Sequence, residues 1–143
     1  MPRHSEQRTL PFSPEQLFKL IADIERYPEF LPWCKGAYIR ERKGNIITAD
    51  LVVGYKGIRE KFTSIVTLIP NKSISVSYGG GALKHLENEW GFKPARGGGC
   101  ELSFYVDFSM RSALLGGLMS IFFDNAFQKM VSAFEKRAEE TYS

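Results

Sequence analysis

Polar and apolar positions along the chain change period twice, and the changes divide it into elements. Residues His4 to Phe12 lead into a helix start in which Ser13 is the N-cap, Pro14 the first helical position and Gln16 the closing member of a capping box. Leu17, Leu20, Ile21 and Ile24 then recur at helical spacing, predicting a helix with one buried face that ends before Pro28. From Tyr27 to Cys34, two prolines and three aromatics make a rigid apolar segment with room for one short helical turn.

Beyond it the period becomes two. Strands are predicted at Ala37 to Arg42, Ile46 to Tyr55, Ile58 to Ile69, Ser73 to Tyr78, Leu86 to Lys93 and Cys100 to Phe108. Each carries an apolar face: Ile47, Ala49, Leu51, Val53 and Tyr55 in the second run, Leu86, Trp90 and Phe92 in the fifth, Cys100, Leu102, Phe104, Val106 and Phe108 in the sixth. Short connections between them, including two glycine triplets at Gly79 to Gly81 and Gly97 to Gly99 read as hairpin turns, imply a mostly antiparallel sheet with one apolar side.

The last element is a helix from about Ala113 to Glu140. Its second half is amphipathic, with Phe127, Met130, Val131 and Phe134 opposed to Gln128, Lys129, Glu135 and Lys136. Its first half is apolar all round. A one-faced sheet buries its apolar side by curling around such a helix, giving an α+β chain of strand, helix, six strands and long helix.

Composition sharpens this. The 143 residues support one domain over 1–143 with a sizeable core. Aromatic residues reach 13%, whereas only two His and two Cys are available for metal or nucleophilic chemistry, a balance favouring apolar binding over catalysis. Cys34 and Cys100, 66 positions apart, match no zinc or redox spacing and are expected to be reduced core thiols, and no metal site is expected. The net charge of +3 is mild, but the stretch from Lys35 to Lys61 alone carries a local net of +4. Lys35, Arg40, Lys43, Lys56 and Arg59 are the candidate surface for lipid headgroups or RNA phosphates, against the plainer reading of solvated strand edges.

The first eight residues hold Arg3, His4, Glu6 and Arg8 and no apolar run, which argues against a secretory signal and for a cytoplasmic protein. The apolar run from Ser112 to Phe123 is too short to span a bilayer but suits peripheral contact with one.

The segment Tyr27-Pro28-Glu29-Phe30-Leu31-Pro32-Trp33-Cys34-Lys35 resembles the signature of the coenzyme-Q-binding START family, which also holds the bacterial ribosome-association toxin. Supporting matches are Tyr55-Lys56-Gly57-Ile58 with Glu60 and Phe62, Leu86-x-x-x-Trp90-x-Phe92, and Phe104-x-Val106-x-Phe108. The resemblance implies the helix-grip fold of the START and polyketide-cyclase superfamily, a curved antiparallel sheet of about seven strands around a long C-terminal helix. It also implies a non-enzymatic ubiquinone binder supporting respiration, with ubiquinone as ligand rather than catalyst, and the start of the chain close to the first strand fits a bacterial member.

On this reading the ligand meets Tyr27, Phe30, Leu31 and Trp33 in the signature, then Val53, Tyr55, Phe62, Trp90 and Phe92 on the strands. Phe104, Val106 and Phe108 complete the sheet's share, and Leu115, Leu118, Met119 and Phe122 come from the long helix. Each is also an ordinary packing residue in such a fold. Burial of one isoprene unit supplies up to roughly 3 to 4 kcal/mol, so two or three units with the ring give useful affinity. The tail is expected to leave past Tyr27 to Trp33 toward the inner membrane.

Two other functions compete. A ribosome-directed role would use the basic stretch on the large subunit's RNA, while nothing points to DNA. A polyketide cyclase or dehydratase would need a titratable group in the pocket, where the inward faces supply Asn88, Ser64 and Glu60 but no His.

Overall fold

The computed structural model describes residues 3–55, 58–81, 83–110 and 129–142. Strand β1 (Arg3–Leu10) is followed by helix α1 (Pro14–Ala22), a 3-10 helix (Ile24–Glu29), and six strands: β2 (Cys34–Lys43), β3 (Ile46–Tyr55), β4 (Ile58–Ile69), β5 (Ser73–Gly81), β6 (Leu83–Pro94) and β7 (Cys100–Met110). Helix α2 (Met130–Tyr142) follows. The strands form one antiparallel sheet in the order β1-β7-β6-β5-β4-β3-β2, so β1 and β2 are its edges. The helix-grip arrangement expected from the sequence is what the structure has.

Curvature comes from irregular pairing. Register breaks occur twice between β2 and β3, once between β4 and β5 and once between β6 and β7, and breaks of this kind let a strand bend. The first glycine triplet supplies one of these. Gly79 to Gly81 is not the turn expected but the end of β5, where Gly80 pairs with Thr63, and Tyr78 with Ser64. Gly80 and Gly81 have φ of 132° and 113°, conformations other residues rarely adopt, so the glycines let an irregular strand stay paired. The second triplet is the expected hairpin loop, closed by Ala95 N–H to the Gly99 carbonyl at 3.1 Å.

Helix α1 begins as its residues dictate. Ser13 Oγ accepts from the Gln16 N–H (3.1 Å) and Gln16 Oε1 accepts from the Ser13 N–H (3.0 Å). It ends earlier than expected, at Ala22. The chain breaks at Asp23 and continues as a 3-10 helix that contains Pro28. The break places Tyr27 beneath α2, where its hydroxyl donates to the Ile21 carbonyl in the last turn of α1 and its ring meets Phe134 edge-on at 5.4 Å.

The core lies between the inner sheet face and the helices. Phe134 of α2 is fully buried and contacts Trp90 (5.1 Å), Phe30 (5.1 Å) and Tyr27. The long helix expected from Ala113 is described only from Met130, and its apolar first half lies outside the described residues.

Both cysteines are free and buried, as expected. Burial pushes the Cys34 thiol up to about 11, and its Sγ donates to the Gly36 carbonyl at 3.4 Å. Between pH 9 and 11 the unfolded chain therefore loses this proton while the folded chain keeps it, and stability falls with rising pH. Urea midpoints measured from pH 8 to 11 are expected to fall for the native chain and to fall less for Cys34→Ala.

Candidate functional site

Opposite α2, the inner faces of β3 to β7 do not close completely. A cavity of about 70 Å³ remains, walled by Leu51, Phe62, Ser64, Val66, Ile74, Val76, Leu86, Asn88, Trp90, Phe104 and Val106 of the sheet. Ile24 and Tyr27 of the 3-10 helix, Trp33, and Met130 at the start of α2 complete it. The wall is almost wholly hydrocarbon and aromatic. Trp90 and Phe104 meet at 4.5 Å with their rings tilted by 48° on one side, and both tryptophans of the chain line the cavity.

Its polar groups are few, and three of them bond to backbone carbonyls. Ser64 Oγ donates to the Ala49 carbonyl (3.3 Å), Asn88 Nδ2 donates to the Tyr105 carbonyl (2.8 Å), and the Tyr27 hydroxyl is committed to Ile21. Burial drives the Tyr27 phenol far above its ordinary value, so it stays neutral. Among the described residues the wall holds no His, Asp, Glu or Lys. Nor does any group of three or more His, Cys, Asp or Glu stand where it could hold a metal ion.

The Tyr27 to Cys34 segment is a folded clasp. Leu31 N–H donates to the Tyr27 carbonyl (2.9 Å), Cys34 N–H to Leu31 (3.0 Å), and Gly54 N–H to Trp33 (2.8 Å), tying it to the end of β3. Arg137 of α2 holds it from the other side, ion-paired to Glu29 and placed over the Phe30 ring at 5.0 Å.

Of the expected ligand residues, Tyr27, Trp33, Phe62, Trp90, Phe104 and Val106 meet on this wall. Phe30, Leu31, Val53, Phe92 and Phe108 do not line it. Phe30 lies between Phe134 and Arg137, and Phe92 is covered by Phe18 of α1 at 5.7 Å. Leu31 and Val53 are buried where the clasp joins the β2–β3 edge, and Phe108 is buried farther along β7. Leu115, Leu118, Met119 and Phe122 lie outside the described residues, as does Lys56, and the Tyr55 side chain is likewise undescribed.

The wall also recruits residues not anticipated as ligand contacts. Leu51, Val66, Ile74, Val76 and Leu86 share the inner-face alternation of their neighbours, a signal that was present. Nothing in an isolated sequence marks Met130 as the helix residue that reaches the same space.

Beside the cavity, the inner face of β1 is polar. His4 Nε2 lies 3.0 Å from Glu6 Oε1, while Arg8 Nε donates to Glu6 Oε2 at 2.7 Å and its Nη1 to Glu135 of α2 at 3.0 Å. Burial opposes ionisation of Glu6, but the bonds from His4 and Arg8 outweigh it and hold the carboxyl below its usual range. The His4 ring rests 5.9 Å from that of Phe104. A histidine thus does stand on the inner side, one ring behind the wall, contrary to the expectation that the inward faces carry none.

On the outer face Lys35, Arg59 and Lys61 are exposed, and the Lys61 and Gly36 positions flank Val52 of β3. Arg40 is paired to Asp50 (3.6 Å) and Lys43 to Glu41 (3.2 Å), which dilutes their charge. Tyr38 and Ile46 are also exposed there. No helix among the described residues is long and apolar enough to cross a membrane.

Comparison with known proteins agrees with the geometry. The family model for polyketide cyclase / dehydrase and lipid transport matches residues 10–135. The chain is 36% identical over 143 residues to the mitochondrial coenzyme Q-binding protein COQ10 homolog B of Xenopus laevis, covering 97% of this chain but 59% of that protein's length. It is 38% identical over 140 residues to the ribosome association toxin RatA of Rickettsia prowazekii, covering 93% of each. Among solved structures, the 18 kDa protein CC1736 of Caulobacter crescentus superposes with a TM-score of 0.77 at 34% identity over 99% of both chains. The Zhui aromatase/cyclase from Streptomyces gives 0.85 at 16% identity over 99% of this chain and 95% of that one, a likeness of fold alone. The chain belongs to the START-like polyketide cyclase / dehydrase and lipid transport family.

Proposed function

We propose that the chain binds a prenyl quinone of the ubiquinone class without transforming it, holding the ring in the cavity between sheet and α2 and carrying the lipid at the cytoplasmic side of a membrane. The observation that carries this is the apolar wall itself, an aromatic and aliphatic enclosure whose Ser64 hydroxyl and Asn88 amide nitrogen are bonded to backbone carbonyls and among whose described residues no acid or base stands ready for catalysis. Similarity to a coenzyme Q-binding protein supports the same ligand class.

Size sets a condition. An engineered cavity of about 150 Å³ accepts benzene, so a space of about 70 Å³ must roughly double to admit a substituted ring. Half-buried Leu51, Val76 and Leu86 are the wall residues with freedom to withdraw. The tail then leaves past the Tyr27 to Trp33 clasp, which makes Arg137 a latch on the route.

Because Trp33 and Trp90 are the only tryptophans and both line the cavity, selectively excited tryptophan fluorescence reports on this site. Titration with a short-chain ubiquinone is expected to quench it saturably, and Val76→Phe, which puts a ring into the space, to abolish quenching while the far-UV circular dichroism is kept. No saturable quenching of the native chain, together with purified protein free of quinone by mass spectrometry, overturns the reading.

Arg137→Ala tests the latch. Loss of one exposed ion pair and one cation–π contact, each worth up to about 1 kcal/mol, is expected to raise association and dissociation rates severalfold together, leaving Kd within a factor of about three. A change in Kd with unchanged rates would assign Arg137 to ligand contact instead.

A second reading is favoured by the exposed Lys35, Arg59 and Lys61 on the outer face and by similarity to ribosome association toxins: phosphate contact with the large ribosomal subunit. Cosedimentation with that subunit at 50 mM salt, lost by 200 mM and lost in Lys35→Glu/Lys61→Glu, is its expected result. Ribosome profiles unchanged by excess protein at low salt remove it.

A further inference from the structure

Asn88 gives the cavity a chemical preference that an apolar wall alone would not have. Its side chain is on the inner face of β6, and the 2.8 Å contact from Nδ2 to the Tyr105 carbonyl fixes which end of the amide is which, since a carbonyl accepts only from a donor. The nitrogen is spent on the backbone. Among the described residues Oδ1 accepts from nothing, and it belongs to a residue of the cavity wall. Ser64 repeats the pattern: its hydroxyl proton goes to the Ala49 carbonyl, leaving oxygen lone pairs on the wall.

We infer that the site selects a ligand ring bearing a hydroxyl donor, so that among prenyl quinones it takes the reduced quinol, or a phenolic relative, in preference to the oxidised quinone. This rests on the reading of the cavity as a prenyl-quinone site. A quinone ring with its ether substituents offers only acceptors. Seated against Asn88 Oδ1 it strips water from that oxygen and returns no hydrogen bond, leaving a buried acceptor unmet. A quinol hydroxyl on the same wall donates to Oδ1 and leaves it satisfied. A quinone carbonyl has no proton to give it. Donor-bearing and donor-free ligands therefore differ by one satisfied acceptor in a dry site, a difference on the order of tenfold in affinity.

The test is anaerobic calorimetric titration of the native chain with decylubiquinone, decylubiquinol and the dimethyl ether of that quinol, which keeps the reduced ring and loses both donors. The quinol is expected to bind at least tenfold tighter than either of the other two. The midpoint potential of the bound couple is then raised by about 30 mV for each tenfold. In Asn88→Leu the three affinities are expected to converge to within about threefold. Equal binding of quinol and quinone, tighter binding of the quinone, or a dimethyl ether that binds like the quinol each overturns the inference while leaving quinone binding intact. Failure of all three to bind overturns it together with the proposed function. If Asn88→Leu does not fold, the three-ligand ranking of the native chain decides alone.

Discussion

Everything in this fold depends on one burial problem: a seven-stranded sheet with a single apolar face needs something to cover it, and Phe134 is where the cover is fixed. Its fully buried ring meets Trp90 from the sheet and Tyr27 and Phe30 from the 3-10 helix and clasp, so three parts of the chain distant in sequence share one contact. Loss of a buried Phe of this kind typically costs about 3 to 5 kcal/mol, a large part of what stabilises a domain of this size. The same contact explains why α1 stops at Ala22. A longer α-helix would carry Tyr27 past α2, whereas the break at Asp23 aims it there.

The cavity is a consequence of how that cover ends. Residues on the inner face alternate uniformly along each strand, and burial alone does not distinguish a packed position from a wall position. Phe92 and Trp90 are two apart on one face of β6, yet Phe18 fills the space over the first while open volume remains beside the second. The wall tolerates this void because it is hydrocarbon and because the Ser64 and Tyr27 hydroxyls and the Asn88 amide nitrogen found backbone partners. In a dry space each unmet donor or acceptor weakens the fold, and each met one becomes a fixed feature of the surface a ligand encounters.

This marks how far the residues could be read in advance. Six strands and the start of α1 were legible because period-two alternation and the Ser13 capping box are local signals. Strand β1 was harder: its alternate positions His4, Glu6 and Arg8 are all polar, so no face could be assigned, and its inner side is set by the Arg8–Glu6 pair and by one ion pair from Arg8 to Glu135 that arises only in three dimensions. Gly79 to Gly81 misled as a turn because positive φ serves a bulged strand end as well as a hairpin. For the site, the aromatic members Trp33, Trp90 and Phe104 were legible as inward positions, but the boundary between core and cavity depends on helix placement. Asn88 could be seen to point inward; that its nitrogen is engaged and its oxygen is not follows only from the position of the Tyr105 carbonyl.

The two faces of the sheet also account for how relatives named for coenzyme Q binding and for ribosome association share this fold at similar identity to the chain. In a strand, neighbouring side chains point to opposite faces. Lys61 and Phe62 are adjacent in β4, one exposed outside and one on the cavity wall, and Val52 beside Lys61 separates the same two environments in β3. Charge on the outside and shape on the inside are therefore written on alternate residues and can change independently. A substitution that alters the outer charge leaves the wall's packing intact, and one that alters the wall leaves the outer field unchanged. Covering the sheet with α2 is the constraint both faces share, which is why the clasp and Phe134, rather than either surface, hold this fold together.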